Sequence, residues 1–479
     1  MQESSWYTGF TPILILLIVV GIVFSRLKRP EGLVHLADAA FRRRRVLNWM
    51  LLGFGYAFLY WGRYNLQPAI EALGGKSMIK DFNMIFTAGT WVYGFSFLVN
   101  GPLTDRKGGR FAIILSTVGA GLSNLLMGLA CWASLSKMIS PEVFYWCLLI
   151  LYPVNMYFQS FGAVAIVKVN SHWFHVKERG VFGAIFGILI SLGIYFAFDW
   201  SNAIVKAQSA QWAFFAPSFM LILASVLCLI WVKDDPQSAG YGKIETGDAT
   251  DGDTSPRLPA MQVFRMMLSN PIIMTIAAIE FCSGFLRQSI MQMYRFFAKA
   301  TDPLLHLKGD FVYENWGLCL CVAGILGGVF AGVLSDRLFQ SRRGPVAVLL
   351  YGFMVVGGLG MFYLLDHPGV GWIALFMSLS VIGVHGMLSG TASQDFGGSK
   401  NVGVAVGIID GFVYLGTGAQ SLFYGFTLPS GEGQEALDLS RWSAWPGAMV
   451  VMAVLGLALA FTIRKAKPRP KPVFAVAAK

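Results

Sequence analysis

The 479 residues are 55% apolar and 14% aromatic but only 13% charged, which excludes a disordered chain and, with charge-poor runs recurring throughout, one or two ordinary soluble domains. A formal net charge of +11 would point to nucleic acid in a soluble protein. Here Arg and Lys gather in short stretches between apolar runs, as in the cytoplasmic loops of a membrane protein. The cysteines, among them Cys131, Cys147, Cys282, Cys319 and Cys321, lie mostly inside apolar runs with no ligand-like spacing, so they read as small core residues rather than disulfides or a metal site.

In chain order, the first apolar run is TGFTPILILLIVVGIVF, with no Lys or Arg before it and Arg26, Lys28 and Arg29 after it. It predicts an additional N-terminal membrane anchor within residues 1–30, N terminus outside, and not a signal peptide. Either it is inert after insertion or it is a regulatory or partner-binding helix. Residues 31–47 follow as a cytoplasmic or interfacial connector. Runs near 48–70, 83–103, 111–133, 142–167, 181–199 and 212–231 predict a six-helix bundle over 48–232. The stretch KDDPQSAGYGKIETGDATDGDTSPRL then breaks the apolar pattern and predicts a flexible cytoplasmic linker over 233–264. Further runs near 269–291, 315–334, 345–365, 371–389, 402–423 and 443–463 predict a second six-helix bundle over 265–465, before a cytoplasmic tail at 466–479. The fold class is therefore an all-α polytopic membrane protein of about thirteen helices. The basic clusters Arg42–Arg45, Asp105–Arg110, Lys177–Arg179, Arg337–Arg343 and Arg464–Lys471 then share the cytoplasmic side.

Internal repetition supports two copies of one unit. GPLTDRKGGRF at 101–111 has a counterpart in GVLSDRLFQSRRG at 332–344, and KERGVFGAIFGILISLG at 177–193 echoes SKNVGVAVGIIDGFVYLG at 399–416. Arg63 in FLYWGRYNLQPAI meets Arg287 in GFLRQSIMQMYRFF 224 residues later. Paired halves of this kind are how many secondary transporters build an alternating cavity.

An arginine at the centre of a membrane helix costs about 2.5–3.5 kcal/mol on insertion scales and so faces a polar interior or a partner. Two arginines, one per half, match a phosphate monoester, which carries about two negative charges near neutral pH and is recognised by planar, permanently charged guanidinium forks. The plain alternative is that either arginine snorkels to an interface or pairs with a carboxylate such as Glu280. Lys168 stands near the cytoplasmic end of its helix, where it either attracts an anion or snorkels. Tyr60, Trp61, Tyr64, Asn65, Tyr93, Gln159 and Tyr294 are candidates for walls and hydrogen bonds around the organic part of a ligand, against interhelical contacts. Arg295 lies about two turns beyond Arg287, as an anion recruiter or an interface charge, and Gln288, Gln292 and Glu280 add polarity to the same helix. Glu280 and Asp410 are the candidates for proton coupling. Gly324, Gly327, Gly328 and Gly332 suit helix packing, since GILGG lacks the Lys and Ser/Thr of a nucleotide loop. Gly403, Gly407, Gly411, Gly416 and Gly418 read the same way. His172 and His175 have no matching ligand set. No catalytic domain, metal site, ATPase motif or cofactor is expected, and the chain is not read as an enzyme.

GPLTDRKGGR and SDRLFQSRRG resemble the loop motif of the major facilitator superfamily. YWGRYNLQPAI, HWFHVKERG and GFLRQSI resemble the organophosphate:phosphate antiporters, and the resemblance covers about 46–465. It implies that Arg63 and Arg287 face each other across a central cavity and clamp phosphate. It also implies that Lys168 matches a basic family position and that a sugar phosphate or glycerol 3-phosphate exchanges for inorganic phosphate as two halves rock in a bacterial inner membrane. The expected partners are that substrate, phosphate and the bilayer, around a monomeric carrier. The loop residues Asp105, Arg106, Arg110, Asp336 and Arg337 are gating candidates, with topology control as the plain reading. Two positions depart from the family: Phe97 replaces a frequent lysine and Ile190 a histidine. Proton-coupled uptake of another solute and a receptor that binds without turnover stay open as alternatives.

Overall fold

Asp38 opens the first helix: its carboxylate accepts the N–H of Ala40 at 2.8 Å, ahead of α1 (Ala39–Tyr64), and satisfies one donor that the first turn leaves unpaired. The computed structural model describes residues 38–175, 179–242, 244, 259–339, 343–431 and 433–464. The anchor expected within 1–30, most of the linker and the tail lie outside the described residues. From residue 39 onward the expected connector is instead the opening of α1. Arg, Ala and Leu all favour helix, and Phe41 seals that end by stacking on Trp173 at 5.9 Å between ring centroids.

The remaining elements are helical throughout the described residues. They are α2 (Leu66–Leu73), α3 (Met78–Lys107), α4 (Gly109–Leu135), α5 (Pro141–Trp173), α6 (Arg179–Tyr195), α7 (Ser201–Ala207) and α8 (Trp212–Trp231). After the linker come α9 (Ala260–Leu268), α10 (Pro271–Met291), α11 (Met293–Ala300), α12 (Trp316–Val333), α13 (Arg343–Tyr363), α14 (Val370–Thr427) and α15 (Ala444–Ile463). Eight helices among the described residues are long and apolar enough to cross a membrane, or up to nine if the bent pair Met261–Leu268 and Pro271–Ala300 is one span. α5 and α10 begin with the same device: Ser140 accepts the N–H of Val143 and Asn270 that of Ile272, each just before a proline in the first turn.

The 58-residue helical run α14 would be about 87 Å long if straight, at 1.5 Å per residue. It is not straight, because both of its parts meet one turn of α10. His385 bonds Glu280 at 2.8 Å, while a Cβ at Gly416 would stand 2.0 Å from the carbonyl of Phe281. The run therefore folds back between these positions, in agreement with the two separate apolar runs in the sequence. Its second part lies with backbone touching backbone on α10, where a Cβ at Gly284 would meet the carbonyl of Val413 at 2.0 Å. This is the close small-residue approach that membrane helices use.

α1 and α10 are both interrupted just past their arginines. α1 gives way to α2 at Asn65, three residues before Pro68, which has no N–H to continue the ladder; α10 gives way to α11 at Gln292. Broken helices at matching positions of two repeats are where transporters place polar sites.

Candidate functional site

Arg63 is fully buried, one residue before the break in α1. Its Nε donates to Gln159 Oε1 at 2.9 Å, Nη2 to the Tyr93 hydroxyl at 3.3 Å, and Nη1 to the Tyr414 hydroxyl. The guanidinium also lies over the rings of Tyr60 (4.6 Å), Tyr93 (4.7 Å), Tyr414 (5.4 Å) and Tyr64 (5.9 Å). A cation among aromatic faces is stabilised by their quadrupoles, more so when desolvated. The backbone is held as firmly. Tyr152 donates to the carbonyl of Arg63 at 2.9 Å, and Asn155 and Asn124 donate to that of Gly62 at 3.0 and 3.1 Å.

Arg287 is buried with 6% exposure, and its Nε and Nη2 have no hydrogen-bond partner among the described residues. Its electrostatic neighbours are Tyr64, Tyr60, Tyr414 and Arg63 itself. Among the described residues neither arginine forms an ion pair. Glu280 is also an electrostatic neighbour of Arg287, but it spends one oxygen on His385 Nδ1 at 2.8 Å, and Oε1 has no hydrogen bond among the described residues. Asp410 faces the same pair electrostatically.

The other candidates separate. Tyr60, Tyr64, Tyr93 and Gln159 all belong to the cage around Arg63. Asn65 faces away from it, with its amide nitrogen on Asn124 Oδ1 (2.7 Å) and on the carbonyl of Ala213 (2.9 Å). Tyr294 packs on Trp316 at 4.5 Å. Phe97 is fully buried, edge-on to Tyr93 at 5.1 Å.

Beyond the arginines, α1–α2 meets α10–α11 in a ladder of equivalent positions. Gln288 Nε2 donates to the Tyr64 hydroxyl at 2.8 Å, Gln67 Nε2 to the carbonyl of Gln292 at 2.9 Å, and Arg295 grips Glu71 through Nε (3.0 Å) and Nη2 (2.9 Å). Each pair is 224 or 225 residues apart, the offset that separates Arg63 from Arg287. Tyr313 donates to Glu71 Oε1 at 2.7 Å, and Lys299 Nζ to the carbonyl of Glu71 at 2.7 Å. Nearby, a π-helical turn Phe196–Trp200 carries Asp199, whose two oxygens accept the N–H groups of Gly317 (2.7 Å) and Leu318 (2.8 Å). A carboxylate from before the linker thus caps the N-terminus of α12, which lies after it.

At the opposite end, Lys168 is buried and its Nζ bonds Asp105 Oδ1 at 2.8 Å. Two of the sequence candidates are therefore partners, and the lysine neither snorkels nor lines an open mouth. Arg110 Nη2 donates to the carbonyl of Leu229 at 2.6 Å and Arg44 Nη2 to that of Trp231 at 2.5 Å, capping the C-terminus of α8. Gly108 has φ +93°, and a Cβ there would lie 2.8 Å from Asp234 Oδ2, whose carboxylate accepts the N–H of Arg110 at 2.8 Å through Oδ1. Arg106 is exposed. The side chains of Asp336 and Arg337 lie outside what is described.

Sequence reading named Arg295 without its partner Glu71, and Glu280 without His385; Tyr414, Gln67 and Asp199 were not singled out. Subtracting the 224-residue repeat offset from Arg295 would have found Glu71. Nothing in the sequence marks His385 or Asp199.

The sequence profile of the Major Facilitator Superfamily matches residues 52–421. The glycerol-3-phosphate transporter of Bacillus subtilis is 27% identical over 405 residues, covering 80% of this chain and 85% of that protein. A probable hexose phosphate transport protein of Chlamydia trachomatis is 23% identical over 437 residues, covering 87% and 90%. The membrane sensor protein UhpC of Escherichia coli is 24% identical over 444 residues, covering 87% and 91%.

Proposed function

The chain belongs to the Major Facilitator Superfamily, and from that premise we propose that it exchanges a phosphorylated organic metabolite for inorganic phosphate by alternating access. On this reading two six-helix halves, 48–232 and 265–465, rock about a site between Arg63 and Arg287, with the Glu71 end outside and the Asp105 end in the cytoplasm. The observation that carries it is a pair of buried arginines, neither within ion-pair distance of a carboxylate among the described residues, one of them with two N–H groups unbonded there. A buried charge without a counter-charge is costly, and a dianion supplies the missing charge at once.

The two arginines divide the work. Arg63 is already oriented by Gln159 and its tyrosines, so it presents a fixed positive charge. Arg287 brings the unpartnered N–H groups, which suit charge-assisted bonds to phosphate oxygens of about 1.5–3 kcal/mol each. Empty, the pair resists closure of the cavity. Occupied, it permits closure, so a carrier that returns only when loaded exchanges one anion for another.

The test is phosphate self-exchange in proteoliposomes with equal amounts of folded protein. Arg287→Ala is expected to lower it by at least about 100-fold, as the loss of two such bonds requires, and Arg63→Ala to do the same. Near-wild-type exchange in both variants overturns the clamp.

A second reading is a sensor, favoured by the similarity to the membrane sensor protein of Escherichia coli. A sensor binds phosphate ester with the same arginine dependence and shows no counterflow in the same vesicles.

A further inference from the structure

Three buried glutamines stand just past the arginine pair with polar atoms unused. Gln67 Oε1, Gln288 Oε1 and both side-chain atoms of Gln292 have no hydrogen-bond partner among the described residues, and all three residues are fully buried. An unsatisfied buried amide is costly, whereas an apolar side chain of the same shape carries no such cost. Such atoms occur elsewhere among the described residues, at Asn83, Asn100 and Asn170 for example, but these three residues share one ladder directly beside the arginine pair.

Their positions are fixed from both sides. Gln67 lies one turn beyond Arg63, and its amide nitrogen is held by the carbonyl of Gln292 at 2.9 Å; because a carbonyl only accepts, that amide's orientation is determined and its oxygen is left over. Gln288 uses one end of its amide on the Tyr64 hydroxyl at 2.8 Å, a group that can donate or accept, and leaves the other end unused. Gln292 sits in the break between α10 and α11, five residues beyond Arg287, with its whole amide unbonded. The Arg295–Glu71 pair closes the ladder one turn further on.

We propose that Gln67, Gln288 and Gln292 form a hydroxyl-reading subsite beside the arginine pair, so that the carrier selects phosphate esters of polyols over phosphate esters with an apolar or carbonyl-bearing organic part. The proposal rests on the anion-exchange reading above. The unused atoms are the Gln67 oxygen, one end of the Gln288 amide and both ends of the Gln292 amide, acceptors and donors together, and this mixture decides the chemistry. A hydroxyl both donates and accepts and can meet every one of them; a ketone or carboxylate only accepts and can meet the donors alone. The Tyr93 and Tyr414 hydroxyls are taken by Arg63 and the Tyr64 hydroxyl by Gln288, so they are already engaged.

The experiment uses three monoesters of equal charge and carbon number: glycerol 3-phosphate, propane-1,2-diol 1-phosphate and propyl phosphate. Each is measured against phosphate-loaded proteoliposomes, and each is titrated as a stabilising ligand in thermal unfolding of the detergent-purified protein. In the wild type each missing hydroxyl is expected to cost about 10-fold in kcat/KM and in binding, the size of one net hydrogen bond. In the Gln67→Leu/Gln292→Leu double variant the discrimination between the first and third ester should fall from about 100-fold to below about 5-fold. The unliganded midpoint should change little, because removing the unsatisfied amide atoms offsets the loss of the Gln67 bond to the Gln292 carbonyl. Equal use of all three esters by the wild type overturns the proposal. So does discrimination that survives in the variant, or a lowered unliganded midpoint with equal losses for every ester. Absence of phosphate self-exchange in the wild type would instead fail the exchange reading, and the thermal titration would still report on the subsite.

Discussion

Glu71→Gln isolates the contact that closes the ladder. The Glu71 carboxylate takes two bonds from Arg295, at 3.0 and 2.9 Å, and one from the Tyr313 hydroxyl at 2.7 Å, and both charged side chains are less than a tenth exposed. Removing the charge of one partner leaves Arg295 buried and uncompensated, a penalty of about 3–5 kcal/mol. In an alternating carrier that penalty falls on one conformation. When this end opens, water reaches Arg295 and the cost disappears, so the full amount appears in the equilibrium between closed and open. A shift of about 3 kcal/mol is about 150-fold, enough to turn a minor open population into the major one.

The assay is the distance distribution between spin labels at Lys137 and Lys308, two exposed positions on either side of this end, on a background with the cysteines replaced. Glu71→Gln and Arg295→Gln should each move most molecules to the longer distance. The double variant should return towards the wild type, because with both charges gone nothing is stranded when the end closes. Wild-type distributions in both single variants would refute the reasoning, and so would a double variant as open as the singles.

The remaining predictions use the same logic elsewhere. Asp199→Ala removes the acceptor of two N–H groups at the start of α12; the same labels should report opening favoured by about 1–2 kcal/mol, the usual worth of a cap, and no change would mean that the cap does not join the halves. Lys168→Met should lower the thermal midpoint, because it removes a 2.8 Å bond to the buried Asp105 carboxylate; an unchanged midpoint would place the lysine's role elsewhere. Replacing His385 by Gln removes the partner of Glu280 Oε2 and should change the pH profile of ester exchange, measured at fixed substrate charge, if this pair exchanges a proton during turnover. A profile identical to the wild type would assign the pair to structure.

What could be read without coordinates was what two copies of a pattern reveal. The helical class, the apolar runs and the equivalence of Arg63 with Arg287 all follow from period and offset, which single residues express locally. The partners were less legible. Lys168 near a helix end reads as a snorkelling side chain until α3 brings Asp105 to 2.8 Å from it, and the two are 63 residues apart in sequence. Asp199 carries no signal because the groups it caps are backbone amides, identical at every position. His385 bonds Glu280 because the first part of α14 packs on α10, a neighbour 105 residues away that the sequence does not name. Contacts between elements follow from topology, and residue type alone leaves them open.

The ladder also explains why ligand and latch need not be separate devices. Glu71 lies eight residues beyond Arg63 and Arg295 eight beyond Arg287, a rise of about 12 Å along each helix pair. The anion site and the ion pair are thus mounted on the same two elements, α1–α2 and α10–α11, with the glutamines between them. What an empty carrier lacks is compensation for drying both arginines together, which passage through a state closed at both ends requires. On the proposed exchange cycle the latch sets which end is shut at rest, and the anion sets whether the other end can shut as well. The two roles predict different phenotypes: latch variants should shift the resting distances while keeping exchange dependent on a counter-anion, whereas Arg287→Lys, which keeps the charge but loses the fork, should leave the resting distances in place and weaken the anion's effect on them.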